Sequence, residues 1–132
     1  MSISAFKRTR DDHASETAED YVEAVAEFME SSGVCRVSML AKKFSVSHVT
    51  ASRIVRRLDR EGLLEAPPRK PIQLSPEGMA LAKRSRARHE LVFSFLQALG
   101  VSNRTAEIDA EGIEHHVSKE TLRRMKKFMS DS

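Results

Sequence analysis

Residues 37–62 read VSMLAKKFSVSHVTASRIVRRLDREG. Val37, Leu40, Ala41 and Phe44 recur at i, i+3, i+4 and i+7, the spacing of one buried face of a short helix. Ser45-Val46-Ser47 is a tight turn, with Ser47 placed as an N-cap. Ala51, Ile54, Val55 and Leu58 repeat the same spacing and predict a further helix that ends at Gly62. The opposite face of that helix carries Thr50, Arg53, Arg57 and Arg60, with Ser52 and Arg56 beside them. Downstream, two short extended runs, Leu63-Leu64-Glu65-Ala66 and Ile72-Gln73-Leu74, bracket the basic tip Pro67-Pro68-Arg69-Lys70-Pro71. They read as a hairpin whose prolines restrict ladder hydrogen bonds near the tip. Helix, turn, basic helix and hairpin in this order form a winged helix-turn-helix pattern.

The chemistry of that pattern suits double-stranded DNA. Ser47, His48, Thr50, Ser52 and Arg53 bring short polar groups and a guanidinium to the start of the basic helix, where base edges in a major groove are met. Arg57 and the later arginines, with Arg69 and Lys70 at the hairpin tip, suit phosphates. Taken alone, an arginine-rich helix face is as well explained by solvation. The ordered pattern around it favours the DNA reading.

Residues 1–15 are polar and carry no apolar period, which predicts a flexible arm. Glu16 to Ser32 reads as a helix with Tyr21, Val22, Val25, Phe28 and Met29 near a 3.6-residue period, ended at Gly33. The winged-helix domain then spans 16–75. Ser75-Pro76 opens a long helix to about Leu99, with Ser75 as cap and Pro76 at its first position. Its first half is basic. Its second half carries an apolar stripe, Leu91, Val92, Phe95, Leu96 and Leu99, too large to leave bare on a small domain. The stripe predicts a homodimer joined across a two-fold axis. Ser102 to about His116 and Ser118 to about Phe128 complete a helical domain over 76–132, and the fold class is mostly α.

Hydrophobic residues make up 40% and charged residues 31% of the 132, the balance of a soluble globular protein. No apolar run approaches a membrane span and the first residues lack the core of a signal peptide. A single cysteine, Cys35, makes no intramolecular disulfide. These features predict a cytoplasmic protein. Net charge is only +3, but its distribution is uneven. Bases gather in the middle of the chain, and acids at Asp11 to Glu30 and Glu107 to Glu120. A nucleic-acid-facing centre and a separate acidic site are the simplest reading.

That acidic site has internal order. In Glu111-Gly112-Ile113-Glu114-His115-His116, the residues Glu111, Glu114 and His115 fall at i, i+3 and i+4, so a helix puts two carboxylates and an imidazole on one face. Such a cluster is costly on a packed face unless a cation fills it. Asp20 and Glu23 form a second acidic pair at i and i+3, and His89 lies between Arg88 and Glu90. Each of these alone is unremarkable.

Together the segments resemble the diphtheria-toxin-repressor family of metal-dependent transcriptional regulators, and most of all its manganese-sensing branch. The similarity rests on Glu19-Asp20-Tyr21-Val22-Glu23, Arg36-Val37-Ser38 with Leu40-Ala41, Ser47 to Leu58, Arg88-His89-Glu90-Leu91, Leu99-Gly100-Val101 and Asp109 to Ser118. It runs from about Ala18 to Phe128. The resemblance implies metal ligands at Asp20, Glu23, His89, Glu111, Glu114 and His115. It places Glu111 where the iron-responding branch has a cysteine, and Asp20 where that branch has a methionine. Oxygen and imidazole donors without thiolate favour Mn²⁺, with Fe²⁺ as the competitor. Four carboxylates match the charge of two divalent ions per subunit. His116 points off this face and reads as supporting rather than ligating.

The resemblance further implies a Mn²⁺-activated repressor of metal-uptake genes, binding a palindromic operator as a homodimer, in the two-domain form without the SH3-like domain of longer members. Metal would tie the first helix to the dimer core and set the spacing of the two recognition helices near a DNA turn, ~34 Å, or a multiple of it. The proline-rich tip and His48, which stands where a proline often opens the recognition helix, depart from the family pattern. Two rivals remain: a metal-independent winged-helix regulator, and a dinuclear carboxylate–histidine enzyme. The enzyme needs an open coordination position facing a substrate pocket. The sequence offers no nucleophile or general-base pattern and no glycine-rich phosphate loop, so neither enzyme activity nor a small-molecule substrate is expected.

Overall fold

A computed structural model describes residues 3–131, with side chains from Ala14 onward. The order is α1 (Ile3–Ser32), α2 (Val37–Phe44), α3 (His48–Arg60), β1 (Leu64–Glu65), β2 (Gln73–Leu74), α4 (Pro76–Ala98), α5 (Asn103–Ile113) and α6 (Lys119–Ser130). The strands pair antiparallel, Leu64 opposite Leu74 and Glu65 opposite Gln73. The chain divides into two compact units. One is Thr17–Lys83; the other takes the start of α1 through Glu16 and everything from Arg84 onward.

In the first unit, α1 contributes Ala18, Tyr21, Val22, Ala24 and Val25 to a core shared with Cys35, Leu40, Val55, Leu58, Leu64, Ile72 and Ala82. The Tyr21 ring stacks on Phe44 at 4.5 Å between centroids, pinning α2 against α1. The α2–α3 turn closes as its spacing predicts. Ser45 adopts φ 54° and Val46 N–H donates to Ala41 O at 3.0 Å. Ser47 caps α3, its Oγ accepting from Thr50 N–H at 3.1 Å. The wing is anchored by Ile72 N–H donating to Cys35 O at 2.8 Å. Its tip is a tight turn in which Lys70 N–H reaches Pro67 O, with Pro68 second and Arg69, at φ 63°, third. A positive φ in third place is a demand that glycine usually meets, and here an arginine carries it.

Where α4 leaves the hairpin, Ser75 Oγ donates to Gly62 O at 2.6 Å and accepts from Gly78 N–H at 3.0 Å. This draws the first turn of α4 onto the backbone at Leu63. A Cβ on Gly78 would lie 1.9 Å from Leu63 O, so only glycine allows the approach. Ala82, one turn on, is in the same core. The first compact unit therefore extends into α4 to Lys83.

In the second unit Val92, Ala106, Ala110, Ser85 and Glu114 are buried. Gly100, at φ 95°, ends α4. Ser102 and Ser118 cap α5 and α6 through the N–H groups of Thr105 and Thr121. Helix α5 stops at Ile113, short of the expected His116, because His116 N–H turns to Ile113 O at 3.0 Å.

Two further features concern the start of α1 and the apolar stripe of α4. Helix α1 is described from Ile3, within the segment 1–15 expected as an arm, and Met1 and Ser2 lie outside the described residues. No glycine or proline interrupts the chain before Gly33, and opposite charges stand four apart at Lys7 and Asp11 and at Arg8 and Asp12. The apolar stripe of α4 is divided. Val92 is buried within its own chain and Phe95 packs edge-on against Phe128 at 5.9 Å. Leu99 remains 59% exposed, and α5 adds the exposed Ile108 and Ile113.

Candidate metal centre and nucleic-acid interface

The second unit brings four of the expected ligands together. Helix α5 and the turn after it carry Glu111, Glu114 and His115; α4 carries His89. Glu114 is buried, 1% exposed. His89 Nδ1 lies 2.6 Å from Glu114 Oε2, and His115 Nε2 lies 3.4 Å from Glu114 Oε1. An imidazole nitrogen thus faces each oxygen of the buried carboxylate. Glu111 is exposed, and its Oε1 stands 3.8 Å from His89 Nδ1. Glu111, Glu114 and His115 can each present a donor atom within 4.8 Å of the others.

The donor set fits a hard divalent cation. It is carboxylate and imidazole alone. The one thiol, Cys35, is buried in the other unit, where burial pushes its pKa up to about 11. Burial also lowers the Arg88 pKa, and the negative charge of Glu114 partly offsets this. Burial pulls the His89 pKa down, but the Glu114 charge and hydrogen bonds to Glu107 and Glu114 outweigh it, and the net shift is upward.

Asp20 and Glu23 belong to the other unit, half-buried and one turn apart on α1. His116 is outside these clusters; its Nε2 lies 3.3 Å from Glu16 Oε2. Glu107 is a neighbour that the sequence reading passes over. Its Oε1 lies 3.0 Å from His89 Nε2. The signal was present: Glu107, Glu111 and Glu114 fall at i, i+4 and i+7 on one helix face.

On α3, His48 and Arg53 are exposed, as are Arg69 and Lys70 on the wing. Ser47 and Thr50 are joined, Oγ to Oγ1, at 3.0 Å within the N-cap, so their hydroxyls serve the helix start. Ser52 is half-buried. Arg57 lies along its own helix with Nε 3.6 Å from Glu61 Oε1. A second residue passed over is Val49, 62% exposed near the start of α3. It is apolar yet out of phase with Ala51, Ile54, Val55 and Leu58.

A winged helix and a helical unit bearing a thiolate-free carboxylate–imidazole centre define a class of regulator with separate DNA and metal modules. The family model for the iron dependent repressor N-terminal DNA binding domain matches residues 13–72. That for the iron dependent repressor metal binding and dimerisation domain matches residues 75–132. The chain belongs to the iron-dependent repressor family. It is 41% identical over 120 residues to the transcriptional regulator MntR of Escherichia coli O6:H1, covering 91% of this chain and 77% of that one. It is 36% identical over 107 residues to the HTH-type transcriptional regulator MntR of Lysinibacillus sphaericus, covering 81% and 77%. Among solved structures, a manganese-dependent transcriptional repressor in complex with manganese superposes with a TM-score of 0.77 at 30% identity. That match covers 86% of this chain and 52% of the repressor's, so the chain spans about half the length of that structure.

Proposed function

We propose that this protein is a Mn²⁺-activated DNA-binding transcriptional repressor of metal-uptake genes, acting in the cytoplasm as a homodimer on a palindromic operator. The observation that carries this reading is the buried Glu114 carboxylate, faced on one oxygen by His89 and on the other by His115, with Glu111 beside it. In support, two relatives bear the name MntR, and a structural neighbour is described as manganese-dependent.

The ligands are His89, Glu111, Glu114 and His115 from the helical unit, with Asp20 and Glu23 of α1 as the resemblance implies. Two divalent ions supply four positive charges when bound, balancing Asp20, Glu23, Glu111 and Glu114. Without that charge, clustered carboxylates repel one another or take up protons. Fe²⁺ shares the donor preference and is the competing ion. A shift from mostly incompetent to mostly competent DNA binding requires ~5 kcal/mol of differential affinity between the two states.

On DNA, Arg53 and His48 reach base edges and Val49 packs on a thymine methyl group. Arg69 and Lys70 contact phosphates. Ser47 and Thr50 hold the helix start, and Ser52 and Arg57 line the same face. The two-fold partner packs against the exposed Leu99, Ile108 and Ile113. Calorimetry with Mn²⁺, Fe²⁺ and Zn²⁺ on the metal-stripped protein tests the reading. Two Mn²⁺ per chain are expected; no measurable Mn²⁺ uptake refutes it.

A further inference from the structure

The two nitrogens of the His89 ring face different carboxylates. Nδ1 points to the candidate ligands, 2.6 Å from Glu114 and 3.8 Å from Glu111. Nε2 lies 3.0 Å from Glu107 Oε1. Phe93, one turn along α4, holds its ring nearly parallel to the imidazole at 5° and 6.4 Å between centroids. The ring is thus fixed in plane by Phe93 and along its edge by Glu107. The His89 side chain is 17% exposed and that of Glu107 57%, so Glu107 is the more solvent-facing of the pair.

We infer that Glu107 is the positioning residue of this centre: it accepts the Nε2–H of His89, which leaves the Nδ1 lone pair for the metal. An imidazole can offer only one nitrogen to a cation while the other carries its proton. A metal-bound histidine commonly donates its second N–H to a carboxylate, which fixes the tautomer and makes the ring a better donor. The inference rests on the metal reading above and adds a residue outside the six ligands. It also assigns the ligating atom. Glu107 stands on the same helix face as Glu111 and Glu114, so rigid α5 sets its distance to the ring.

The test is calorimetric Mn²⁺ binding to the metal-stripped full chain and to E107A and E107Q, with circular dichroism and sedimentation as checks of fold and assembly. Glutamine retains an oxygen that can accept the same N–H. E107A is expected to bind Mn²⁺ roughly 10- to 100-fold more weakly. Its ion count per chain should equal the parent's. E107Q is expected to recover to within about threefold of the parent, since the hydrogen bond survives there. Unchanged affinity in E107A overturns the inference. So does an E107Q as weak as E107A, the result expected if Glu107 bound metal directly or acted only by charge. A parent that takes up no Mn²⁺ sinks the metal reading itself, and this inference with it. A parent that binds while E107A matches it sinks only this one.

Discussion

His89 Nδ1 stands 2.6 Å from Glu114 Oε2, and the Glu114 side chain is only 1% exposed. A buried carboxylate is tolerated when it is paired, and the partner here comes from another helix. Glu114→Gln keeps the volume and removes the charge. It should weaken Mn²⁺ binding at least roughly tenfold and destabilise the metal-free protein by about 1–3 kcal/mol through loss of a charge-assisted hydrogen bond. Chemical denaturation and metal titration of the two proteins measure both effects.

On the proposed metal reading, the same contact should make Mn²⁺ binding pH-dependent. The His89 pKa is raised in the folded chain: burial lowers it, but the Glu114 charge and hydrogen bonds to Glu107 and Glu114 more than compensate. In metal-free protein the stability due to this pairing is therefore fully present below the unfolded histidine value, about 6.5, and is lost as pH rises through the raised value. On the proposed reading, Mn²⁺ displaces that proton. Apparent Mn²⁺ affinity should fall as pH drops through the His89 titration, and the His89→Ala protein should lose that segment of the profile.

Glu111 tests ion selectivity. At the proposed ligand position, Glu111→Cys would keep a donor but replace a hard oxygen with a soft thiolate, which should favour Zn²⁺ over Mn²⁺. The fold and dimer should persist, since Glu111 is exposed in the chain. Competitive titration of Mn²⁺ against Zn²⁺ reads the exchange. His116→Ala should change little by comparison.

Gly78 tests the packing of α4 on the winged helix. In Gly78→Ala the new Cβ would overlap Leu63 O, which is backbone and has no rotamer to change. A cost of about 3 kcal/mol is expected, with a fall in Tm of roughly 10 °C. Differential scanning calorimetry gives both.

The helices with an apolar period were legible in the sequence, because a 3.6-residue repeat reports which face is buried. Helices α2 and α3 and the wing fall where Val37, Leu40, Ala51, Val55 and the prolines predict. The start of α1 carries no apolar period in the sequence, so periodicity could not mark it as a helix. Gly78 looked ordinary, since its role depends on a carbonyl fifteen residues earlier that only the tertiary fold brings near. At the candidate metal centre, the spacing of Glu111, Glu114 and His115 pointed to one cluster, which the end of α5 and the turn after it carry. Pairing that cluster with His89 required the approach of α4 to α5, and the resemblance supplied it. Glu107 was hidden among other acids although its spacing placed it on the same face as Glu111.

Arg53 and Arg69 separate base reading from phosphate contact. Arg53→Ala should weaken binding to the preferred duplex by about 1–3 kcal/mol and relax its specificity. Arg69→Ala should weaken all duplexes about equally and lower the salt slope by about 1. Fluorescence anisotropy over a salt series distinguishes the two patterns.

The central claim is that metal controls DNA binding. The most direct measurement is the affinity of the metal-stripped protein for a duplex selected from a random pool, with excess chelator and then with Mn²⁺ added. The account predicts binding roughly a hundred-fold tighter with Mn²⁺, and loss of that gain in His89→Ala. Equal affinity with chelator and with Mn²⁺ would contradict it, leaving a winged-helix regulator whose acidic cluster is structural.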